Sequence, residues 1–165
     1  MNGKIRVVHY LNQFFAQIGG EDKADVRPQV KDGVIGPGRA LQQALGDNGE
    51  VVATVYCGDN YFAEHQEEVI DEICPRVAQY KPDLLIAGPA FESGRYGIAC
   101  GAFCQAAQAR LGLAAVAGMD EDNVGASLYR KNIYIVNSGV SIARMVPTLQ
   151  RMGALGVKLA RREAV

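Results

Sequence analysis

Short runs rich in Val, Ile and Leu alternate along this chain with longer segments in which apolar residues recur every three to four positions. That alternation is the pattern of βαβ units around a mainly parallel sheet. It predicts five strands: Lys4 to Leu11 (KIRVVHYL), Glu50 to Cys57 (EVVATVYC), Asp83 to Ala87 (DLLIA), Ala114 to Ala117, and Asn132 to Asn137 (NIYIVN). The first three are nearly continuous apolar runs, as expected of parallel strands buried on both faces. Four helices are predicted between and after them, over Gly38 to Leu45, Ala63 to Tyr80, Gly94 to Leu111, and Ser141 to about Arg162. Gly46 and Gly112 stand where a left-handed C-cap is needed, and Pro82 follows the second helix. Lys158, Arg161 and Arg162 sit near the negative end of the last helix dipole. Pro75 and Pro147 fall inside predicted helices, so each implies a kink or a later start.

The connection from the first strand to the first helix, Asn12 to Pro37, is long for a compact domain and rich in Gly and charge (FFAQIGGEDKADVRPQVKDGVIGPG). Loops of that length tend to be functional or disordered. Right-handed crossovers favour the strand order 2-1-3-4-5, a three-layer α/β/α sandwich of flavodoxin-like or Rossmann-like type. In that order a ligand crevice opens where the loops after strands one and three diverge, which sets Tyr10 to Gly36 opposite Gly88 to Tyr96. There is no internal repeat, low-complexity tract or shift in composition, so residues 1–165 are expected to form a single α/β domain.

Composition narrows the function classes. The 165 residues are 48% hydrophobic and 21% charged, with a formal charge of −1. The isoelectric point is near 6.1. Neither DNA, RNA nor an anionic membrane is expected as a partner, since each requires clustered excess Lys and Arg. The opening MNGKIRVVHYL is too short an apolar run for a signal peptide, no stretch approaches a membrane span, and a cytoplasmic protein is expected. Cys57, Cys74, Cys100 and Cys104 show neither CxxC spacing nor a disulfide framework. His9 and His65 are not paired at helical spacing, so no metal site is expected.

Chemistry can be carried by three loops. GPAFESGRYG (Gly88 to Gly97) opens into a helix whose free N–H groups favour an anion. Arg95 could hold a carboxylate through two parallel hydrogen bonds, and Glu92 could balance an amine or carry a proton. The plainer account makes Ser93 an N-cap and Glu92 and Arg95 a surface ion pair. In CGDNYF (Cys57 to Phe62), Asp59 or Asn60 is a cap, and Cys57 is either a small buried hydrophobe or a thiol activated by a helix amino terminus. Cys100 and Cys104 lie on one helix face among small residues, a packing pattern. Tyr10, Phe14, Phe15, Tyr61, Phe91 and Tyr96, from the loops around the crevice, are either core edges or faces around an ammonium group. Neither the GxGxxG dinucleotide fingerprint nor a GxxxxGK[ST] phosphate loop is present.

Four strings, VVHYLNQFFAQIGGEDKAD (7–25), VIGPG (34–38), CGDNYF (57–62) and AGPAFESGRYGIACG (87–101), resemble the amino-terminal half of a known subunit. It is the large, usually selenocysteine-containing subunit of component B in glycine, sarcosine and betaine reductases. The resemblance runs to the helix around LGVKLARREA. It implies reductive deamination in anaerobic amino-acid fermentation. A two-carbon substrate loses its amine, and its carboxymethyl group passes through the selenol to the component A selenoprotein and on to acetyl phosphate. The implied partners are the carboxy-terminal selenocysteine-containing half, the pyruvoyl-containing component B subunit, component A, and a small amino acid or betaine. No cofactor is expected in this chain; the selenocysteine and the pyruvoyl group would lie elsewhere in the complex. The chain itself contains no selenocysteine, and none of its cysteines occupies the family's redox motif, so it is expected to be inactive alone and no catalytic residue is assigned. For substrate binding the expectation falls on Arg95 for the carboxylate, Glu92 and Asp59 for polar orientation, Glu21 for a substrate or interface contact, and Tyr96 and Tyr61 as aromatic faces. The alternatives are a stand-alone small-molecule binding or scaffold protein of the same fold, and an oxidoreductase using Cys57 or the Cys100/Cys104 thiols.

Overall fold

The strand that anchors everything else is Ile5–Asn12 (β1), in which every residue but Arg6 is buried. The computed structural model describes residues 3–165; Met1 and Asn2, which open the run weighed as a signal peptide, lie outside them. After β1 come β2 (Gln29–Asp32), α1 (Gly38–Leu45), β3 (Gly49–Cys57), α2 (Asp59–Glu64) and α3 (Gln66–Ala78). Then follow β4 (Leu84–Ala87), α4 (Gly94–Leu111), β5 (Ala114–Met119), α5 (Val124–Tyr129), β6 (Tyr134–Asn137) and α6 (Met145–Ala160).

The sheet has six strands in the order β2-β3-β1-β4-β5-β6, one more than the five expected; the five expected strands keep the order 2-1-3-4-5 among themselves, and β2 is added at the edge. The additional strand, β2, lies in the segment read as a loop and pairs antiparallel with β3, Gln29 opposite Tyr56 and Asp32 opposite Ala53. Every other pairing is parallel. β2 left no periodic signal because it is short, half-exposed and mostly polar, as strands that blunt a sheet edge often are.

Side chains alternate across a strand, and here the alternation feeds two cores. Tyr10, Val55, Leu85 and Ala117 pack with Ile73, Phe103 and Cys104 of α3 and α4. On the other face Val7, Val51, Leu84 and Val116 pack with Leu41 of α1 and Leu149 and Met152 of α6. Each fully buried large aliphatic contributes about 1.5–3 kcal/mol, which is why the strand runs that had to be apolar on both faces are legible in the sequence.

The helices depart from the expected boundaries for local reasons. The helix predicted over Ala63 to Tyr80 begins earlier, at Asp59, and breaks at His65, whose φ of −132° and ψ of 36° are not helical. Its early start is secured by the long first loop, since the N–H groups of Asn60 and Tyr61 both donate to the Ala24 carbonyl, at 2.9 and 3.0 Å. Neither Asp59 nor Asn60 is the cap; Gly58 holds that position. Ser93 does stand at the N-cap of α4, without a side-chain hydrogen bond to it. The last helix starts at Met145, not Ser141, and Pro147 therefore falls in its first turn, where a missing N–H costs nothing. Pro75 lies inside α3. The short α5, absent from the prediction, is capped by Asn123, whose Oδ1 accepts from Gly125 N at 2.8 Å.

Candidate functional site

β1 is where the chain reverses its direction of winding, with β3 on one side and β4 on the other. Ligands of open α/β sheets bind beyond the carboxyl ends of the strands at such a point. A cavity of about 330 Å³ lies there, lined by the end of β1 (Asn12, Gln13), the long first loop, Asp59, the loop from Ala90 to Ser93, and Tyr96. Val140 and Ile142, from the connection between β6 and α6, close its remaining side.

Its floor is polar but buried. Asn12 Nδ2 donates to Asp59 Oδ2 at 2.9 Å, and the Asp59 backbone N–H donates to Gln13 Oε1 at 3.0 Å. Asn12 Oδ1 in turn accepts from the Phe15 backbone at 3.0 Å. Asp59 Oδ1 has no hydrogen-bond partner, and the Tyr96 hydroxyl has only the Asn12 backbone within reach. Burial pushes the Asp59 carboxyl above the ordinary carboxylate range, against the opposing Asn12 hydrogen bond and the charge of Arg95, and with the help of Glu21. The walls are aromatic: the Phe15 ring lies 6.0 Å from that of Tyr96 and 6.1 Å from that of Phe91, and Phe14 lies 5.1 Å from Phe15.

Phe91 occupies the left-handed region, with φ at 54°. Such positions cost of order 1–3 kcal/mol and persist where the surroundings hold them, often at ligand sites. Asn123 does the holding, its Nδ2 donating to the carbonyls of Phe91 and Ser93, each at 3.0 Å. The Phe91 carbonyl also accepts from Asp120 N at 2.8 Å.

Of the residues expected at the site, Asp59, Glu21, Glu92 and Tyr96 line the cavity. Arg95 does not; it sits at the rim, its Nη2 donating to Glu21 Oε1 at 2.7 Å, so its neighbour is Glu21 and not Glu92. Both partners are largely exposed, and such pairs contribute about 0–1 kcal/mol. Tyr61 lies away from the cavity, its ring 4.5 Å from that of His65 and tilted 34° to it, with Arg27 over it at 5.7 Å. Tyr10 is in the core, edge-on to Phe62 and Phe103. Sequence reasoning missed Asn12, Gln13, Asn123, Val140 and Ile142 as site residues. The adjacent amides Asn12-Gln13, ending an otherwise apolar strand, were the available signal.

The thiol alternatives do not fit. All four cysteines are free and buried. Burial, aided by Asp59 and Glu72, pushes the Cys57 thiol up to about 12, and burial likewise raises those of Cys100 and Cys104. Desolvation outweighs the one lowering influence on Cys57, a hydrogen bond from the Gly58 backbone. Below the site, His9 is fully buried, its Nε2 bonded to the Gly88 carbonyl at 2.8 Å and its Nδ1 unpartnered. Burial holds the imidazole at about 4, against the pull of that hydrogen bond. Among the described residues, no three His, Cys, Asp or Glu side chains are gathered for a metal ion, and no helix is long and apolar enough to cross a membrane.

The family model described as glycine/sarcosine/betaine reductase selenoprotein B (GRDB) matches residues 4–165. A glycine reductase complex component B subunit gamma from Carboxydothermus hydrogenoformans is 51% identical over 98% of this chain and 37% of its own length. A sarcosine reductase complex component B subunit beta from Peptoclostridium acidaminophilum is 45% identical over 98% of this chain and 37% of its own length. The betaine reductase complex component B subunit beta of the same organism is 34% identical over 97% of this chain and 36% of its own length. The chain thus spans a little over a third of the relatives it matches. No solved structure matches it.

Proposed function

The chain belongs to the glycine/sarcosine/betaine reductase selenoprotein B family, and from that premise we propose that it forms the amino-terminal, substrate-handling and interface part of a component B subunit. The observation that carries this reading is the cavity at the carboxyl end of β1. At about 330 Å³, it has ample room for a molecule the size of glycine, sarcosine or betaine, with space left for a group reaching in from a partner. It offers charged groups of both signs for the two ends of a zwitterion, with Glu21, Glu92 and Asp59 along its lining and Arg95 at its rim.

In this reading the reaction is completed elsewhere. Selenocysteine and a pyruvoyl group are expected on other parts of the complex, and the buried cysteines here, with raised thiol pKa values, are no substitute for a selenol. This chain contributes binding, orientation and exclusion of water, and does not turn over by itself. Phe14, Val140 and Ile142, each more than half exposed, stand beside the cavity mouth and make an apolar rim that a second surface would cover. The selenocysteine-bearing remainder and the pyruvoyl-bearing subunit are the proposed occupants, with the component A selenoprotein visiting later.

Calorimetry of the 165-residue chain with glycine, sarcosine, betaine and D-proline tests this. At least one zwitterion should bind, more tightly when a pyruvoyl-bearing partner subunit is present. Binding that gains nothing from any partner would favour a stand-alone binding role, and no binding in any combination would remove the substrate pocket.

A further inference from the structure

The floor of the cavity holds a buried carboxylate oxygen that the fold leaves unpaired, Asp59 Oδ1, beside the Tyr96 hydroxyl, which has only the Asn12 backbone within reach. Asp59 is 3% exposed and Tyr96 0%, and both line the cavity. Buried polar atoms are nearly always paired, and an isolated buried carboxylate is costlier still. Such an unpaired carboxylate oxygen at the base of a pocket is explained by a ligand that completes it. The missing partner of a carboxylate is a cation, and the fold supplies none at the floor. Its nearby guanidinium, Arg95, is held by Glu21 at the rim. The walls point the same way, because the negative faces of aromatic rings attract ammonium groups, methylated ones especially.

We propose that the cavity takes its ligand nitrogen first. An ammonium group, methylated or not, sits against Asp59 and Tyr96, enclosed by Phe15 and Phe91, while the carboxylate of a zwitterion stays at the mouth, where Arg95 exchanges Glu21 for it. The opposite orientation would set a second carboxylate against Asp59 in a poorly hydrated site, where like charges repel most strongly. This inference rests on the cavity being a substrate site and adds to it the polarity of binding.

The charged and titratable groups that act on Asp59, or on which it acts, are Tyr10 of β1, Cys57 of β3, Tyr96, Cys100 and Arg95 of α4, and Glu21 of the first loop. Tyr10, Tyr96, Cys57 and Cys100 stay neutral through the acid range, since burial raises all four. A cation requires the ionised form of Asp59, whose carboxyl lies above the ordinary range, so ammonium affinity should rise with pH until Asp59 has lost its proton.

The test titrates the chain with methylammonium, tetramethylammonium and acetate, followed by the amide NMR shifts of Asn12 to Phe15, Asp59 and Asn60, with glycine and betaine alongside. Both ammonium ions should bind and acetate should not. Asp59→Asn, which keeps an acceptor for Asn12 and should fold, should weaken the ammonium ions at least tenfold and flatten their pH dependence. Tyr96→Phe should weaken them a few-fold. Acetate binding in place of the ammonium ions, or zwitterion binding unchanged in Asp59→Asn, would overturn the nitrogen-first orientation while leaving the substrate site standing. Ammonium binding without any zwitterion binding would instead support the cation pocket and sink the substrate reading.

Discussion

His9 and Asp59 are both buried and both lack a partner on one polar atom, yet burial moves them in opposite directions. Desolvation always opposes the charged form, so it lowers the imidazole and raises the carboxyl. For His9 the folded value of about 4 lies below the ordinary 6.5. The unfolded chain therefore binds the proton first, and the stability His9 confers is present above pH 6.5 and lost as pH falls toward 4. The loss should reach about 3 kcal/mol between pH 7 and pH 4. Urea unfolding across that range would measure it, with His9→Gln as the comparison, because glutamine can donate to the Gly88 carbonyl but cannot titrate. Parallel profiles for the two proteins would mean that His9 is not the group responsible. Neither residue's environment was legible in the sequence, where His9 was weighed only as a metal ligand and Asp59 as a cap or polar contact. Burial and missing partners are properties of neighbours contributed by distant segments.

The elements that position the cavity are joined by close backbone approach. α4 and α5 meet where Gly97 faces Gly125, and a Cβ built on Gly125 would lie 2.5 Å from the Gly97 carbonyl carbon and oxygen. Backbone cannot swing aside as a side chain can, so Gly125→Ala should cost about 1–3 kcal/mol, toward the upper end. It should also loosen Asn123, which caps α5 and holds the Phe91 carbonyl. Gly94→Ala is the control, since its Cβ would meet only a Val124 methyl at 3.4 Å. Thermal unfolding of both variants checks the contrast, and equal losses would contradict it. Gly97 and Gly101, costly residues in a helix interior, signal tight packing in the sequence and read there as allowing α4 to approach a strand. What fills the space is instead Asn123 and Tyr129 at the two ends of α5, a helix of six residues with too few turns to show a helical period.

At the scale of the whole molecule the four thiols report on cooperativity. Cys57 lies in β3, Cys74 in α3, and Cys100 and Cys104 in α4, and all belong to the core on one face of the sheet. Reaching them requires separating helices from sheet. Ellman's reagent at pH 8 should therefore modify none of them promptly in the native chain and all four at once in guanidinium. Prompt labelling of Cys57 alone would show that the loop over β3 opens independently and would revive its candidacy as a reactive thiol.

The apolar runs alone implied β1, β3, β4, β5 and β6 and their parallel arrangement, because a strand covered on both faces must be hydrophobic along its length; β6, half-exposed at the sheet edge, kept an apolar run all the same. Right-handed connection of those strands was enough to locate the crevice before any side chain was placed. Tertiary structure alone decided which side chains face it. Arg95 turns to Glu21, Tyr61 packs tilted against His65, and Asp59 is held at the floor by Asn12, which ends β1, and Gln13, which follows it. Edge strand β2 and helix α5 also belong to that second category, since each is short and depends on the element beside it. Periodicity records burial averaged along an element, whereas a site depends on the direction of single side chains, which is set by contacts between residues remote in sequence.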